Sequence, residues 1–362
     1  MQTIKAAICH AFGQPLTVED IQIRAPQGSE VEVTIDAVAV CQSDISYAEG
    51  AWGGTLPAVY GHEAAGRVTA TGPSAKGFSV GDPVVVTLIR SCQSCPTCAS
   101  GHPVNCTTRY DSTKGPIHTL GGGTLDQGLA TGAFAEKVVV EAAQLVKLPD
   151  GIAPDVACLL GCGVITGVGA VVNTAGLRPG QVAVVIGAGG VGLNAVQGAH
   201  LAGAAHVIAV DMTQDKLDGA MAFGATAGIL ATAETPWKAA RKASGGRGAD
   251  AVFVTVGQVA AYDTAPRYLA PRGKVIVVGM PHSGETARYE PVVMAALGQG
   301  VQASLMGDTV ISRDIPWMVE LYQQGRLKLD ELVSARWRLD QINEAIADTK
   351  SGAARRNVIV MR

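Results

Sequence analysis

The stretch QVAVVIGAGGVGLNAVQGAHLAGAAHVIAVD, residues 181–211, decides the fold of the second half of this chain. It starts as a short apolar run, turns through the glycine-rich sequence GAGGVG at 187–192, continues as an alanine-rich helical segment and ends in HVIAVD. A buried strand, a turn, a helix and a second buried strand form a βαβ unit of parallel sheet. The alternation continues through 249–256 and 274–280, so we predict an α/β fold with a doubly wound parallel sheet.

The glycine turn has the spacing of a dinucleotide-binding site. Gly187 permits a tight turn, Gly189 leaves the backbone open to a pyrophosphate, and Gly192 lets the helix pack close to the sheet. Gly190 and Val191 open the helix, whose unpaired N–H groups and partial positive charge attract phosphate. The alternative is a glycine turn that only packs the βα unit, but the flanking strand, helix and acid favour the dinucleotide site.

An acidic residue closes the second strand of this unit. Asp211 can accept hydrogen bonds from both ribose hydroxyls of NAD, whereas the 2′-phosphate of NADP would meet like charge there. No arginine directly follows Asp211 to hold such a phosphate. We therefore predict NAD as the cofactor.

The first half of the chain is predicted to be rich in β-strands. Residues 30–40, EVEVTIDAVAV, alternate apolar and polar side chains, and no helix-period segment of length precedes Pro154. From about residue 306 the chain becomes more polar and helical and ends in RNVIVM, which we expect to pack back on the first half. The predicted domains are 1–163, 164–305 and 306–362.

The composition excludes several classes of function. A chain of 362 residues with a net charge of −3 and 4% aromatic side chains has no obvious surface for nucleic acid. The N-terminus, MQTIKAAICHAF, lacks the basic flank and long apolar core of a signal peptide, so we predict a cytoplasmic protein. The apolar stretches 156–177 and 181–210 are broken by glycines, so we interpret them as buried core and expect no membrane partner.

Four of the eight cysteines lie within the segment 91–106, SCQSCPTCASGHPVNC. In a reducing cytosol such a cluster favours a metal over disulfides. Four thiolates would fill every position of a tetrahedral zinc site, which makes the site structural rather than catalytic. An iron–sulfur cluster, loose thiols or disulfides, and a nucleic-acid-binding zinc module remain alternatives, although the segment holds no lysine or arginine. The four ligands are Cys92, Cys95, Cys98 and Cys106.

Three further residues stand in short motifs that are far apart in the sequence. Cys41 begins CQSD after a predicted strand, His62 lies in GHEAAG, and Cys162 lies in GCGV before the dinucleotide unit. Taken singly, each is better explained as a buried core residue, and spacing alone cannot join them.

Together the motifs resemble the zinc-dependent medium-chain alcohol dehydrogenases. The resemblance covers nearly the whole chain in order and includes CQSD, GHEAAG, the four-cysteine lobe and GAGGVG. It also includes LLGCGVITGVGAVVNTAGLRPG at 159–180 and the D-x4-K pattern of Asp211 and Lys216. The resemblance implies a GroES-like β-rich catalytic domain interrupted by a Rossmann domain.

The resemblance also implies a second, catalytic zinc, so we expect two zinc ions per chain. Its implied ligands are Cys41, His62 and Cys162. Glu63 would be a nearby carboxylate, sometimes an exchanging ligand, and Asp44 would orient His62 through the other ring nitrogen. Ser43 matches the hydroxyl that takes the proton of the alcohol.

Other family positions carry different residues in this chain. Many relatives have a basic residue that contacts the pyrophosphate where this chain has Gln42, so we expect weaker NAD binding and faster release. Many have a histidine that ends the proton relay where this chain has Ser46, leaving water or another residue such as His10 to take that role. Arg356 matches an arginine that reaches the cofactor phosphates.

The substrate positions are also implied by the resemblance. Trp52 and Leu88 match residues that commonly line the alcohol channel, and a tryptophan there suggests an apolar pocket for a compact or flat primary alcohol. The glutathione-dependent formaldehyde dehydrogenases have acidic residues in the loop that here is EGAWGGTLP, in which only Glu49 is acidic. Arg109 could meet a substrate carboxylate, although a solvated position is the better interpretation.

The sequence thus predicts an NAD- and zinc-dependent oxidation of a primary alcohol to an aldehyde, with a small-molecule alcohol or aldehyde as partner. We expect a homodimer, with a tetramer still open, in which a strand near 299–305 extends the sheet across a two-fold axis. The alternatives are a thiol-adduct formaldehyde or polyol dehydrogenase of the same fold, and a zinc-stabilised NAD-binding protein without turnover.

Overall fold

The computed structural model describes residues 1–361 and divides into two compact units. The first unit comprises Met1–Cys162 and Val310–Arg362, and the second comprises Gly163–Thr309. The domain boundaries predicted from the sequence lay between 163 and 164 and between 305 and 306.

Strands dominate the first unit and alternate with helices in the second. In chain order the strands are β1 Gln2–Cys9, β2 Thr17–Ile23, β3 Glu30–Ala39, β4 Ala58–Val59, β5 Glu63–Thr71, β6 Pro83–Val86, β7 Ile117–Thr119, β8 Asp126–Gln127, β9 Lys137–Glu141, β10 Leu145–Lys147, β11 Val182–Ile186, β12 His206–Asp211, β13 Ala227–Leu230, β14 Ala249–Val254, β15 Leu269–Val277, β16 Gly300–Ala303, β17 Val333–Trp337 and β18 Arg356–Val360. The α-helices are α1 Gln42–Ala48, α2 Pro96–Ala99, α3 Pro154–Ala157, α4 Gly163–Gly169, α5 Gly190–Leu201, α6 Gln214–Ala222, α7 Pro236–Ala243, α8 Val259–Thr264, α9 Pro291–Leu297, α10 Ile311–Gln323 and α11 Ile342–Ser351.

Two mixed sheets enclose the core of the first unit. One has the strand order β7-β2-β1-β4-β8, and the other runs β10-β6-β5-β3-β18-β17, with β9 also paired to β3. Their buried faces are built from branched aliphatic side chains such as Ile8, Ile35 and Val86, with Phe134 among the largest. The C-terminal strand β18 pairs antiparallel with β3, so the chain end returns to the first half as predicted.

The second unit contains a six-stranded sheet in which every neighbouring pair is parallel. Its order, β13-β12-β11-β14-β15-β16, reverses direction at β11. That reversal defines a doubly wound sheet and places the switch point beside the glycine turn that follows β11. The doubly wound prediction is therefore confirmed, and β12 spans His206–Asp211 as the HVIAVD run indicated.

No single helix among the described residues is long and apolar enough to cross a membrane. Two neighbouring helical segments, Pro154–Gly161 and Gly163–Ala175, pass the length and composition criteria only when they are joined across a bend.

Candidate active site and zinc centres

Four buried side chains from distant parts of the first unit meet at one point. Ligand atoms that all lie within 4.8 Å of one another belong to Cys41, His62, Glu63 and Cys162. Cys41 is the N-cap of α1, Glu63 begins β5 directly after His62, and Cys162 ends the 3₁₀ turn Cys158–Gly161. None of the four is more than 6% exposed. The three predicted ligands therefore converge, with the predicted carboxylate beside them.

Two glycines make this convergence sterically possible. Gly61 has a φ of +91°, and a Cβ there would lie 2.5 Å from the backbone nitrogen of Phe134. At Gly161 a Cβ would lie 2.9 Å from the Cα of Glu63. Both separations are too short for any side chain, so glycine is required where the chain before His62 passes Phe134 and where the 3₁₀ turn approaches β5.

Asp44 holds the imidazole of His62 in one orientation. The Asp44 carboxylate lies 2.9 Å from Nδ1 of His62 and also accepts the backbone N–H groups of Gly61 at 2.9 Å and Cys41 at 3.1 Å. Because the carboxylate accepts from Nδ1–H, the lone pair of Nε2 is free to bind a metal. This is the arrangement that the sequence predicted for Asp44.

Glu63 forms a buried ion pair that the sequence did not predict. Its Oε1 lies 3.1 Å from Nη1 of Arg356, and the two side chains are 0% and 6% exposed. The strand order β5-β3-β18 brings the first residue of β18 to the side of β5 across one intervening strand. We had expected Arg356 to contact the cofactor phosphates, and that contact stays a prediction. In the structure its guanidinium is paired with the carboxylate beside the proposed metal site.

The electrostatics of the four residues suit a divalent cation. A shared hydrogen bond with Cys162 lowers the pKa of the Cys41 thiol, and the same hydrogen bond raises the pKa of Cys162. Burial alone would lower the pKa of His62, but the Asp44 carboxylate and Cys41 raise it. The Nε2 atom of His62 is buried without a hydrogen-bond partner among residues 1–361. Two sulfurs and one imidazole with an unused lone pair match the ligands of a catalytic zinc site.

The four-cysteine lobe forms a second group with metal-ligand geometry. Its Sγ atoms lie within 4.8 Å of one another and belong to Cys92, Cys95, Cys98 and Cys106. Hydrogen bonds from Thr108 and Thr97 lower the pKa of Cys92 to about 6 and that of Cys95 to about 4. Burial raises the pKa of Cys98 to about 12. The structure places no disulfide among the described cysteines, which fits the predicted structural zinc site and not the disulfide alternative.

The glycine turn after β11 fits a dinucleotide pyrophosphate. Gly187 has a φ of +98°, and a Cβ on Gly192 would lie 1.8 Å from the carbonyl oxygen of Gly187. At Gly189, the N-cap of α5, an added Cβ would meet no atom within 4 Å. Gly187 and Gly192 must therefore be glycine for the turn to form at all. Gly189 instead faces open space in front of the α5 N–H groups, starting with Gly190 and Val191, where a pyrophosphate would bind.

Asp211 ends β12 with its carboxylate directed back at the glycine turn. Its Oδ2 accepts the N–H of Ala188 at 2.6 Å, its Oδ1 accepts the N–H of Met212 at 2.7 Å, and Lys216 Nζ lies 3.8 Å away. Each carboxylate oxygen can accept a second hydrogen bond, so both remain able to bind a ribose hydroxyl. Asp211 thus has a structural role in bracing the turn as well as its predicted role toward NAD.

Known proteins of similar sequence cover nearly the whole chain. Residues 27–150 match the alcohol dehydrogenase GroES-like domain, and residues 190–324 match the zinc-binding dehydrogenase domain. An NDMA-dependent alcohol dehydrogenase of Amycolatopsis methanolica is 34% identical over 366 residues, which cover 98% of each chain. The chain is a zinc-dependent medium-chain alcohol dehydrogenase.

Solved structures of family members have the same fold. An alcohol dehydrogenase zinc-binding domain protein from Burkholderia ambifaria is 34% identical, with a TM-score of 0.95 over 100% of this chain and 99% of that one. A benzyl alcohol dehydrogenase from Acinetobacter calcoaceticus is 29% identical, with a TM-score of 0.93 over 100% of both chains. This chain is therefore an oxidoreductase with the GroES-like and Rossmann architecture.

The remaining residues that this alcohol dehydrogenase was predicted to use lie on or near α1. Gln42 and Ser43 form its first turn, with Gln42 exposed and Ser43 half-buried. Ser46 is buried at 9% exposure. His10 is exposed and bonds Glu19 at 2.7 Å, so its suggested role in the proton relay gains no support.

The predicted substrate residues differ in their surroundings. Trp52 is half-buried and meets the ring of Tyr47 edge to face, and Leu88 is half-buried two residues after β6. Arg109 is exposed, as the solvated interpretation expected. Tyr47 was not predicted from the sequence, because a single tyrosine inside a short helix carries no motif.

Proposed function

We propose that this family member oxidises primary alcohols to aldehydes, reversibly, with NAD and one catalytic zinc. The observation that carries the proposal is the meeting of Cys41, His62 and Cys162 around the unpartnered Nε2 of His62. When bound, zinc supplies Lewis acidity and NAD supplies the hydride acceptor. The reaction removes one hydride and one proton from the alcohol, so the protein must also handle a proton.

The residues around the proposed metal position have distinct tasks in this reaction. Cys41, His62 and Cys162 hold the ion, and Asp44 fixes the tautomer of His62. The hydroxyl of Ser43, in the first turn of α1, accepts the proton of the alcohol and passes it to water. A solvent outlet is required because Ser46 has no basic side chain.

Glu63 and Arg356 form an ion pair beside the proposed zinc ligands, and this pair determines the net charge there. A carboxylate at 0% exposure is costly unless it is paired, and Arg356 supplies that pairing. The ion pair offsets the negative charge of Glu63 beside the ligands. That arrangement suits a nearby carboxylate that is not a permanent ligand.

The second unit binds NAD in this proposal. Gly189 leaves room for the pyrophosphate at the start of α5, and Asp211 accepts the ribose hydroxyls. Lys216 lies on α6 at 3.8 Å from Asp211 and adds a positive charge near the same ribose. Because no arginine follows Asp211, NADP should be a poor substitute.

The proposed substrate is an apolar primary alcohol. Trp52 and Leu88 would line its binding site, and the benzyl alcohol dehydrogenase among the similar structures acts, by its name, on an aromatic alcohol. The thiol-adduct formaldehyde alternative finds no support in the loop that follows α1. Its one acidic residue, Glu49, is already paired with Lys350.

A homodimer formed through the sheet of the second unit is part of the proposal. β16 is an edge strand of that sheet, and its Val301 is 41% exposed, as is Leu305 just beyond it at 47%. The neighbouring helix α9 has no buried residue, and its Val292 is 74% exposed. An apolar edge of this kind favours pairing with another strand, and a second copy supplies one across a two-fold axis.

Metal analysis combined with an NADH assay tests the catalytic proposal. Wild-type protein should contain two zinc ions per chain, one for each group of ligand atoms, and should reduce NAD with a panel of short, long, aromatic and thiol-adduct alcohols. Cys41→Ser should keep the lobe zinc and lose activity. Cys158→Ser, at an equally buried thiol outside both groups, is the matched control and should keep both metals and activity.

Two outcomes would reject the catalytic proposal. One is a wild-type protein with a single zinc and a freely alkylated Cys41, which would instead indicate an NAD-binding protein without turnover. The other is a Cys41→Ser variant that still oxidises alcohols at the wild-type rate.

A further inference from the structure

Three aromatic side chains of the first unit, Tyr60, Tyr47 and Trp52, contact one another in a row. Tyr60, two residues before His62, is 3% exposed. Its ring stacks on that of Tyr47, with centroids 6.2 Å apart and planes inclined by 24°. Tyr47 in turn meets Trp52 edge to face, at 5.1 Å and 82°. Both distances are within the range at which aromatic rings attract one another.

The inner end of this stack is fixed by the backbone. Gly128 packs so tightly against Tyr60 that a Cβ on Gly128 would lie 2.4 Å from the Cδ1 atom of the ring. The next two residues, Leu129 and Ala130, have left-handed φ values of 55° and 52°, which cost energy in residues other than glycine. Gln144 holds this turn by donating to the carbonyl of Ala130 at 3.0 Å. The inner ring therefore has a rigid support.

The outer end lies on a glycine-rich loop that follows α1. Trp52 is flanked by Gly50, Gly53 and Gly54, all with positive φ values of 79°, 73° and 144°. Glycine loses more conformational freedom on ordering than any other residue. Backbone hydrogen bonds from Gly50 to Tyr47 and from Ala51 to Ser46 tie the start of the loop to α1, and the edge-to-face contact with Tyr47 adds a side-chain constraint on the indole.

Helix α1 connects the two ends to the metal site. Asp44 and Tyr47 are three residues apart on α1 and therefore share one face of the helix. Asp44 binds Nδ1 of His62 at 2.9 Å, while Tyr47 contacts Trp52. A single short helix thus sets the indole at a defined place relative to a proposed zinc ligand.

We infer that Tyr47 is a positioning residue that fixes the Trp52 indole and thereby makes the enzyme prefer flat, unsaturated primary alcohols over aliphatic ones. The inference rests on the proposed function, because it takes Trp52 as a wall of the alcohol site. A fixed aromatic wall can stack on a planar substrate, whereas a mobile indole offers only averaged apolar contact. Tyr47 need not touch the substrate itself.

Steady-state kinetics with benzyl alcohol and butan-1-ol test the inference. Tyr47→Leu removes the ring and should raise the KM for benzyl alcohol about three- to tenfold, the range for the loss of one aromatic pair. The KM for butan-1-ol and both kcat values should change by less than about twofold, since the ring geometry at Trp52 matters only to planar substrates. Tyr47→Phe keeps the ring and should restore wild-type behaviour. Tyr322→Leu, at a half-buried tyrosine on α10, controls for a general loss of stability.

A double-mutant cycle and fluorescence separate this inference from the proposed function. In a Trp52→Leu background, Tyr47→Leu should have little further effect on the KM for benzyl alcohol, because the two residues act through one contact. Acrylamide quenching of the Trp52 emission, obtained as the difference from Trp52→Phe, should increase in Tyr47→Leu and not in Tyr47→Phe. That measurement needs no turnover, so it reports on the indole even if no alcohol is oxidised.

Two results would overturn the inference. One is quenching of Trp52 that is unchanged by Tyr47→Leu, because the indole would then be held by other contacts. The other is an equal rise in KM for both alcohols, which would make Tyr47 a general structural residue. A wild-type protein that oxidises neither alcohol would refute the proposed function and, with it, the substrate preference.

Discussion

Replacing Asp44 by asparagine should weaken zinc binding at the catalytic site and leave the lobe zinc untouched. The Asp44 carboxylate accepts three hydrogen bonds, from His62 Nδ1, Gly61 N and Cys41 N, at 2.9, 2.9 and 3.1 Å. Asparagine has the same shape, but one of its terminal atoms is an NH₂ group that can only donate. At least one of the three donors would therefore face another donor in a site that is 2% exposed.

The size of the effect follows from these contacts. A buried donor left without an acceptor costs about 1–3 kcal/mol. If the amide oxygen stays with His62, Cys41 N loses its partner and the backbone that carries a zinc ligand is loosened. If the oxygen turns to Cys41 N, the imidazole loses the carboxylate that fixes its tautomer. Either way, we expect the catalytic zinc to bind about 10- to 100-fold more weakly, as is usual when a carboxylate that orients a metal-bound histidine is changed.

The assay is zinc release to a chromogenic chelator, followed for both metals in one titration. In Asp44→Asn the first equivalent should leave at a lower chelator concentration than in wild type, together with activity, and the second should leave as before. Glu32→Gln is the matched control, because Glu32 is also 2% exposed and paired with Lys137 at 2.9 Å, yet it belongs to neither metal group. Asp44→Asn with wild-type affinity for both zinc ions would refute the reasoning.

Four further substitutions each test one residue of the proposed function. Cys95→Ser should release the lobe zinc and lower the thermal unfolding temperature, while the catalytic zinc remains bound. Metal analysis and calorimetry measure the two effects, and a variant that keeps both zinc ions would contradict the prediction. Asp211→Asn should reduce the preference for NAD over NADP by at least about tenfold in kcat/KM, since the like charge facing a 2′-phosphate is removed; an unchanged ratio would assign Asp211 to the turn alone. Gln42→Arg should tighten NAD binding by about three- to tenfold through a charge-assisted hydrogen bond to phosphate, measured by fluorescence titration, and equal affinity would place residue 42 away from the phosphates. Val301→Lys should convert a dimer to monomers in sedimentation velocity, because a lysine on an edge strand opposes pairing, and a variant that remains dimeric would exclude this edge as the interface.

The second unit was predicted well because its signals are local. Each strand of a buried parallel sheet is a short apolar run, so β11, β12 and β14 were visible without knowledge of their partners. The elements that were missed have weak local patterns. β13 has only four residues with alternating intermediate and exposed positions, and α7 is an eight-residue helix with only two buried residues, Pro236 and Ala240. Helix α1 was missed because seven residues are too few to establish a helical period.

The candidate site was harder to predict because it depends on contacts between distant segments. Spacing could not join Cys41, His62 and Cys162, and only resemblance to a family did so. Arg356 shows what that approach leaves out: the resemblance implied a phosphate contact, which stays a prediction, and did not indicate the ion pair between its guanidinium and Glu63. A sequence motif identifies which residue is present but not which of several charged neighbours it will meet.

The register between β3 and β5 is what brings the ligands together. Ala39 pairs with Glu63 in this antiparallel ladder, so Cys41, two residues beyond Ala39, and His62, one residue before Glu63, reach the same end of the sheet. Ala64 pairs with Val86 on the other side, and Gly161 lies against Val86 in turn, since a Cβ there would be 2.8 Å from its carbonyl oxygen. A slip of one residue in either ladder would reverse the faces of the strand and separate the ligands. The same strand pairing therefore specifies both the core of the first unit and the metal site. The apolar–polar alternation of residues 30–40 selects the register of β3, and that register places the proposed zinc ligands.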